Sequence, residues 1–248
     1  MWVRGMRRAV RAATLALALA MGTTTSALAV AATDSATQPL PQKPPPLRPK
    51  KVRPPLVISP WARDIAASTD IPARAVQAYL VAAGRLKDEQ PQCKLAWNTL
   101  AAIGAIESGH GSFGDSALGR DGVARPAIIG PALAPTSGFA SIRPTPEYTA
   151  IHGDTSWDHA LGPMQFIGST WSRWGTDGDG DGIADPLDID DAAVTAGRYL
   201  CASGGELRDG AWQSAVLSYN NDPWYAWHVL SRALDYAQQT QAAAGNVQ

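Results

Sequence analysis

Two stretches of this 248-residue chain carry side chains whose types and spacing could do chemistry. In the first, Asp177-Gly-Asp-Gly-Asp-Gly-Ile, three carboxylates alternate with glycines. An EF-hand-type loop wraps a calcium ion with hard oxygens at its positions 1, 3 and 5, a glycine at 6 and a backbone carbonyl at 7. Those positions fall on Asp177, Asp179, Asp181, Gly182 and Ile183. A standard loop would close with the carboxylate of Asp188, and Asp191 stands three residues beyond it. Seven acids lie between Asp177 and Asp191, and charges packed this closely repel unless a divalent cation relieves them. The same residue types also suit a solvated acidic turn. In the second stretch, Glu107 ends the apolar run Ala101-Ala-Ile-Gly-Ala-Ile and precedes Ser-Gly-His-Gly. A carboxyl there is either exposed at a helix C-terminus or set in a partly desolvated cleft. The second setting would raise its pKa and keep it protonated near neutrality, as a general acid requires.

The elements that must position these groups read as helices joined by long loops. Ser59-Pro60-Trp61 has the order of an N-cap, a first helical position and a first turn. After Asp70-Ile71-Pro72, the residues Val76, Tyr79, Leu80 and Ala83 recur at helical spacing. A third helix is expected over about 95–108, apolar around its circumference and therefore central. From 109 to 158 no period persists, and a loop this long is usually functional. A short helix is expected at 168–174, then one over about 192–203 capped by Asp190-Asp191 and ended by Gly204-Gly205. Two more, at 212–219 and 224–239, complete the set. No alternation of period two is sustained, so the fold class is mainly α with few or no strands. Trp157, Trp171, Trp174 and Trp224 read as core.

The chain begins as an exported protein does. Arg4, Arg7, Arg8 and Arg11 precede an apolar run at 12–22, and Ala27-Leu-Ala offers a cleavage site, so residues 1–31 read as a signal peptide. An uncleaved signal would instead tether the protein to a membrane. No other stretch is long and apolar enough to span a bilayer. Residues 32–59 are rich in proline and basic side chains and read as an extended linker. The folded domain is expected over 60–240, with a flexible tail at 241–248. Of 21 Lys and Arg nine precede Trp61, against one of 22 acids, so the domain is near −9 and a nucleic-acid partner is excluded. Cys93 and Cys201, the two cysteines of an exported chain, are expected to form a disulfide, with two buried free thiols as the alternative. Four scattered histidines, His110 among them, show no zinc spacing.

Three segments, that of Glu107 among them, carry a resemblance. Ala105-Ile-Glu-Ser-Gly-His-Gly111 resembles the catalytic-glutamate segment of lytic transglycosylases. Gly162-Pro-Met-Gln-Phe-Ile-Gly-Ser-Thr-Trp171 is similar to their glutamine-phenylalanine segment, and Ala215-Val-Leu-Ser-Tyr-Asn220 to their tyrosine-asparagine motif. With the acidic loop between the last two, the order resembles the membrane-bound lytic murein transglycosylase B family, over roughly 71–237. The resemblance implies a lysozyme-like helical domain with an EF-hand-like calcium loop closed by Asp191 rather than Asp188. It implies Glu107 as acid and then base on the bond between N-acetylmuramic acid and N-acetylglucosamine. It also implies Gln165, Tyr219, Asn220, Tyr225 and, less directly, Ser156 as substrate contacts. Peptidoglycan glycan strands would be the partner, structural calcium the ion, and a secreted or wall-associated monomer the form. The Gly/Pro-rich stretch 115–154 matches the family pattern poorly, so no cleft residue there is carried over.

Overall fold

The computed structural model of the protein describes residues 57–135 and 141–245. The expected signal peptide, nearly all of the linker and the last residues of the tail lie outside the described residues. Within them, eight helices and four short strands form a mainly α domain. Helix α1 (Pro60–Ser68) starts as its sequence predicts, with Pro60 in the first turn and the Ser59 hydroxyl accepting the Ala62 N–H at 3.1 Å. Helix α2 (Ala73–Glu89) turns Val76, Tyr79, Ala82 and Leu86 inward. Helix α3 (Trp97–Ser108) is buried from Thr99 to Gly104. Its small residues let neighbours close in, and a Cβ on Gly104 would collide with the Tyr79 hydroxyl. Helices α2 and α8 pack against α3, which places the apolar helix at the centre as expected.

The stretch 109–158 is more ordered than its sequence suggests. Strands β1 (Ala117–Leu118) and β2 (Ala124–Arg125) form an antiparallel hairpin. Strand β3 (Ile129–Ala132) pairs antiparallel with β4 (His159–Leu161) across a register shift. Strands of two to four residues are too short to show alternation. Between them, in the stretch without a sequence period, α4 (Pro146–His152) is capped by the Thr145 hydroxyl and has Glu147 in its first turn.

Helix α5 (Gly168–Trp174) stands where it was expected. Helix α6 (Ile189–Gly204) begins earlier, because Asp188 is its cap, accepting the Asp190 N–H at 2.8 Å. Asp190 and Asp191 lie instead in the first turn, where carboxylates face the positive end of the helix. Helices α7 (Asp209–Tyr219) and α8 (Pro223–Gly245) follow, the last running past the expected domain edge at 240. Of the four tryptophans read as core, Trp171 is buried, Trp157 and Trp174 are half-buried and Trp224 is 58% exposed. No helix among the described residues is long and apolar enough to cross a membrane.

Cys93 and Cys201 are joined in a disulfide that ties the segment before α3 to the end of α6 across 108 residues. Closing a loop of that size restricts the unfolded chain by about 4–5 kcal/mol. Reduction is therefore expected to lower the melting temperature by on the order of 10 °C in a calorimetric scan with and without reductant. An unchanged scan would show that the bridge contributes nothing.

Candidate active site

Glu107 sits in the last turn of α3. The helix stops there because Gly109, His110 and Gly111 follow in left-handed conformations, with φ of 59°, 62° and 82°. The Ser108 hydroxyl donates to the Pro163 carbonyl at 2.6 Å and accepts the Gly111 N–H at 2.8 Å, so the turn is fastened to the segment leading to Gln165. Glu107 is half-buried, and the Tyr225 O–H donates to its Oε1 at 2.6 Å. Desolvation raises the Glu107 pKa from 4.5 to about 7, against the opposing pull of the Tyr225 hydrogen bond. No neighbouring carboxylate among the described residues contributes to the shift. The arrangement is that of an acid held protonated near neutrality, with a buried phenol fixing one oxygen.

Tyr225→Phe removes the one interaction that favours the carboxylate. The Glu107 pKa is then expected to rise by about one unit or more, and the alkaline limb of any rate it controls should move up with it. A pH–rate profile of the variant checks this. A limb that stays in place or moves down would contradict the assignment.

Gln165 is presented by a tight turn. Gly162, at φ 74°, lies against the Pro186 carbonyl so closely that a Cβ would collide with it. Gln165 itself takes φ 49°, and its Nε2 donates to the Gly162 carbonyl at 2.9 Å. Its Oε1 faces Gly130 of β3, where an added Cβ would come within 2.7 Å. Gln165 and Tyr219 line a cleft of about 300 Å³ together with Thr170, Tyr199 and Ser218. The Tyr219 O–H donates to the Met164 carbonyl at 2.7 Å, and its ring meets Phe166 edge-on at 5.6 Å. Glu107 is not among the lining residues. Hydrogen bonds join the two, because Ser108, next to Glu107, donates to the Pro163 carbonyl and Tyr219 donates to the Met164 carbonyl, on the segment that leads into Gln165.

The structure thus brings together Glu107, Tyr225, Tyr219 and Gln165. Asn220 is the exposed residue that ends α7. Ser156 is also exposed, in a turn where Asp154 accepts its N–H at 2.7 Å, and it does not line the cleft. Tyr199 was missed. It reads as one more residue of an amphipathic helix, yet its hydroxyl reaches the Ser218 carbonyl at 2.7 Å and its ring meets Tyr219 edge-on. A larger groove of about 690 Å³ around Trp227 and Leu230 contains none of the predicted site residues.

The acidic loop folds on itself through its own carboxylates. Asp177 accepts the N–H groups of Gly180 and Gly182, Asp179 that of Asp181, and Asp181 that of Ile183. Ile183 is 40% exposed. Carboxylate oxygens of Asp177, Asp179 and Asp191 all lie within 4.8 Å of one another. A second such group is Asp179, Asp188 and Asp190, but there Asp190 is paired with Arg74 and Asp188 caps α6. Asp181 joins neither group. Burial raises the Asp191 pKa to about 8, with the Asp188 and Asp179 charges adding to the rise. An all-oxygen set of anions with that electrostatic cost fits a hard divalent cation, and the first group fits it better. The loop is also fixed from outside, Arg85 donating to the carbonyls of Asp177 and Gly178.

Residues 147–224 match the model of the transglycosylase SLT domain. No curated protein matches the chain. Among solved structures, the chain is similar to that of SltB3 from Pseudomonas aeruginosa in complex with NAG-anhNAM-pentapeptide. The identity is 20%, over 77% of this chain and 68% of that one, with a TM-score of 0.41. The segment matching the family contains Gln165, the acidic loop and Tyr219-Asn220. Glu107 and Tyr225 fall outside it, so their roles rest on geometry. The family match is thus confined to residues 147–224, under a third of the 248-residue chain.

Proposed function

We propose that the protein cleaves the β-1,4 bond between N-acetylmuramic acid and N-acetylglucosamine in peptidoglycan and leaves a 1,6-anhydro end. Glu107, protonated, gives its proton to the glycosidic oxygen as that bond breaks. The 6-hydroxyl of the same muramoyl residue attacks the oxocarbenium-like carbon, and the Glu107 carboxylate takes the hydroxyl proton. No water enters and no second acid is required, unlike the two-carboxylate scheme of most glycosidases. The observation that supports this reading is the single carboxyl at Glu107, raised to about 7 by burial and held by Tyr225.

The other residues bind and orient. The Gln165 amide can donate to and accept from an N-acetyl group, while Tyr219 and Tyr199 offer ring edges and faces to sugars. Asn220 and Ser156 would meet the strand at the rim. Asp177, Asp179 and Asp191, with the Ile183 carbonyl, would hold a structural calcium ion, which supplies charge neutralisation to the loop and takes no part in the reaction. The substrate places the protein outside the cytoplasm, in wall remodelling. Purified sacculi should release soluble muropeptides on incubation with the protein. A protein that binds sacculi without releasing any would be a non-catalytic wall-binding protein.

A further inference from the structure

His110 has no place in the chemistry proposed for the site, yet it is among the most constrained residues of the fold. It is 4% exposed and is one of only three non-glycine residues with positive φ among those described. A left-handed conformation at a residue with a bulky side chain carries about 1 kcal/mol or more of strain, which persists only where surrounding contacts enforce it. Here they are two phenols. Nδ1 lies 3.2 Å from the Tyr79 hydroxyl of α2, and Nε2 lies 2.9 Å from the Tyr236 hydroxyl of α8. In either tautomer one ring nitrogen donates and the other accepts, and a hydroxyl can complement each. The His110 N–H also bonds the Gly104 carbonyl at 2.9 Å, which draws the turn back onto α3.

Helix α8 grips the end of α3 twice. Tyr225 holds the Glu107 carboxyl, and Tyr236, eleven residues on and on the same helical face, holds the imidazole three residues after Glu107. Tyr236 is itself set by Arg232, whose guanidinium lies 4.9 Å from its ring centre and pairs with Asp70. We infer that His110 is a positioning residue for Glu107: by locking the left-handed turn between Tyr79 and Tyr236, it fixes where α3 ends and how its terminal carboxyl meets Tyr225. Burial lowers the His110 pKa to about 4, with the Asp70 charge opposing and the Arg232 charge assisting. The ring is therefore neutral at working pH. Its loss would change geometry without removing a charge beside Glu107.

The inference rests on Glu107 as the reacting acid, and its test includes a readout that needs no turnover. His110→Gly keeps the backbone conformation available and deletes the imidazole. Tyr236→Phe keeps the ring packing and deletes one partner. Both variants, and the wild type, can be labelled with carboxyl-13C glutamate. The chain has four glutamates, so the Glu107 resonance is assigned by its absence in Glu107→Gln. In His110→Gly the Glu107 midpoint is expected to fall by at least about half a unit, because the desolvation that entering water relieves outweighs the Tyr225 hydrogen bond that a loosened turn weakens. On sacculi kcat should drop about tenfold or more with KM within about twofold, the pattern of lost alignment. Tyr236→Phe should move both readouts the same way by less. A folded His110→Gly with an unchanged midpoint and kcat within about twofold would overturn the inference, whatever its melting temperature. If His110→Gly does not fold, Tyr236→Phe and Tyr79→Phe decide, and no shift of midpoint in either overturns it. Should the wild type fail to act on sacculi, the proposed function falls while the midpoint still tests His110.

Discussion

Glu107→Gln is expected to reduce release of muropeptides from sacculi by about 10³-fold, within the 10²–10⁴ range of general acid–base catalysis. The amide keeps the shape of the carboxyl and can still accept from Tyr225, so the fold should survive. Its effect on stability has a sign that follows from burial. The Glu107 pKa is raised from 4.5 to about 7 in the folded state. Stability linked to its protonation is therefore fully present below pH 4.5 and is lost as pH rises through 7. The Gln variant has no such group to ionise. Relative to wild type it should gain stability steadily between about pH 5 and 8, read as melting temperatures across that range. A variant that is inactive and less stable than wild type at pH 8 would mean that Glu107 is structural. One that retains activity would remove it from the reaction.

Withdrawal of calcium is expected to lower the melting temperature by about 5–10 °C. That estimate takes a ligand at about a hundredfold its Kd, worth about 2.7 kcal/mol, and about 2–4 °C per kcal/mol for a domain of this size. Asp191→Asn should abolish the calcium response. In chelator it should melt no lower than wild type, because it removes one of the anions that the ion would neutralise. The consequence for the site runs through Gly162. Pro186, in the exit of the loop, packs against Gly162, whose turn sets Gln165, and α6, which starts just after, carries Tyr199 into the same cleft. Loss of the ion should therefore raise KM for glycan more than it lowers kcat. Identical melting curves in calcium and in chelator would leave the loop a solvated acidic turn.

Much of this was legible in the sequence, for identifiable reasons. Ser59-Pro60 and Gly204-Gly205 mark helix ends through local backbone preferences, and the structure puts helix boundaries beside both. The central helix could be read because no polar stripe interrupts 99–104. What could not be read depended on distant contacts. The hairpin strands exist because Ala124 N–H bonds the Leu187 carbonyl and Ile189 N–H the Gly122 carbonyl, sixty-odd residues apart in sequence. The cap of α6 fell at Asp188 because three nearby aspartates offer the same chemistry and only packing chooses among them. Glu107 was recognisable as a carboxyl in apolar company, but the phenol that holds it comes from Tyr225, 118 residues later. Tyr199 had no local signal at all.

The reaction proposed for Glu107 ends a glycan strand without water. Mass spectrometry of the muropeptides released from sacculi by the wild-type protein tests it most directly. Products ending in 1,6-anhydro-N-acetylmuramic acid are expected, each one water lighter than its hydrolysed counterpart, and none of them from Glu107→Gln. Products carrying a reducing, hydrated muramic acid end would contradict it and make the protein a lysozyme-type hydrolase.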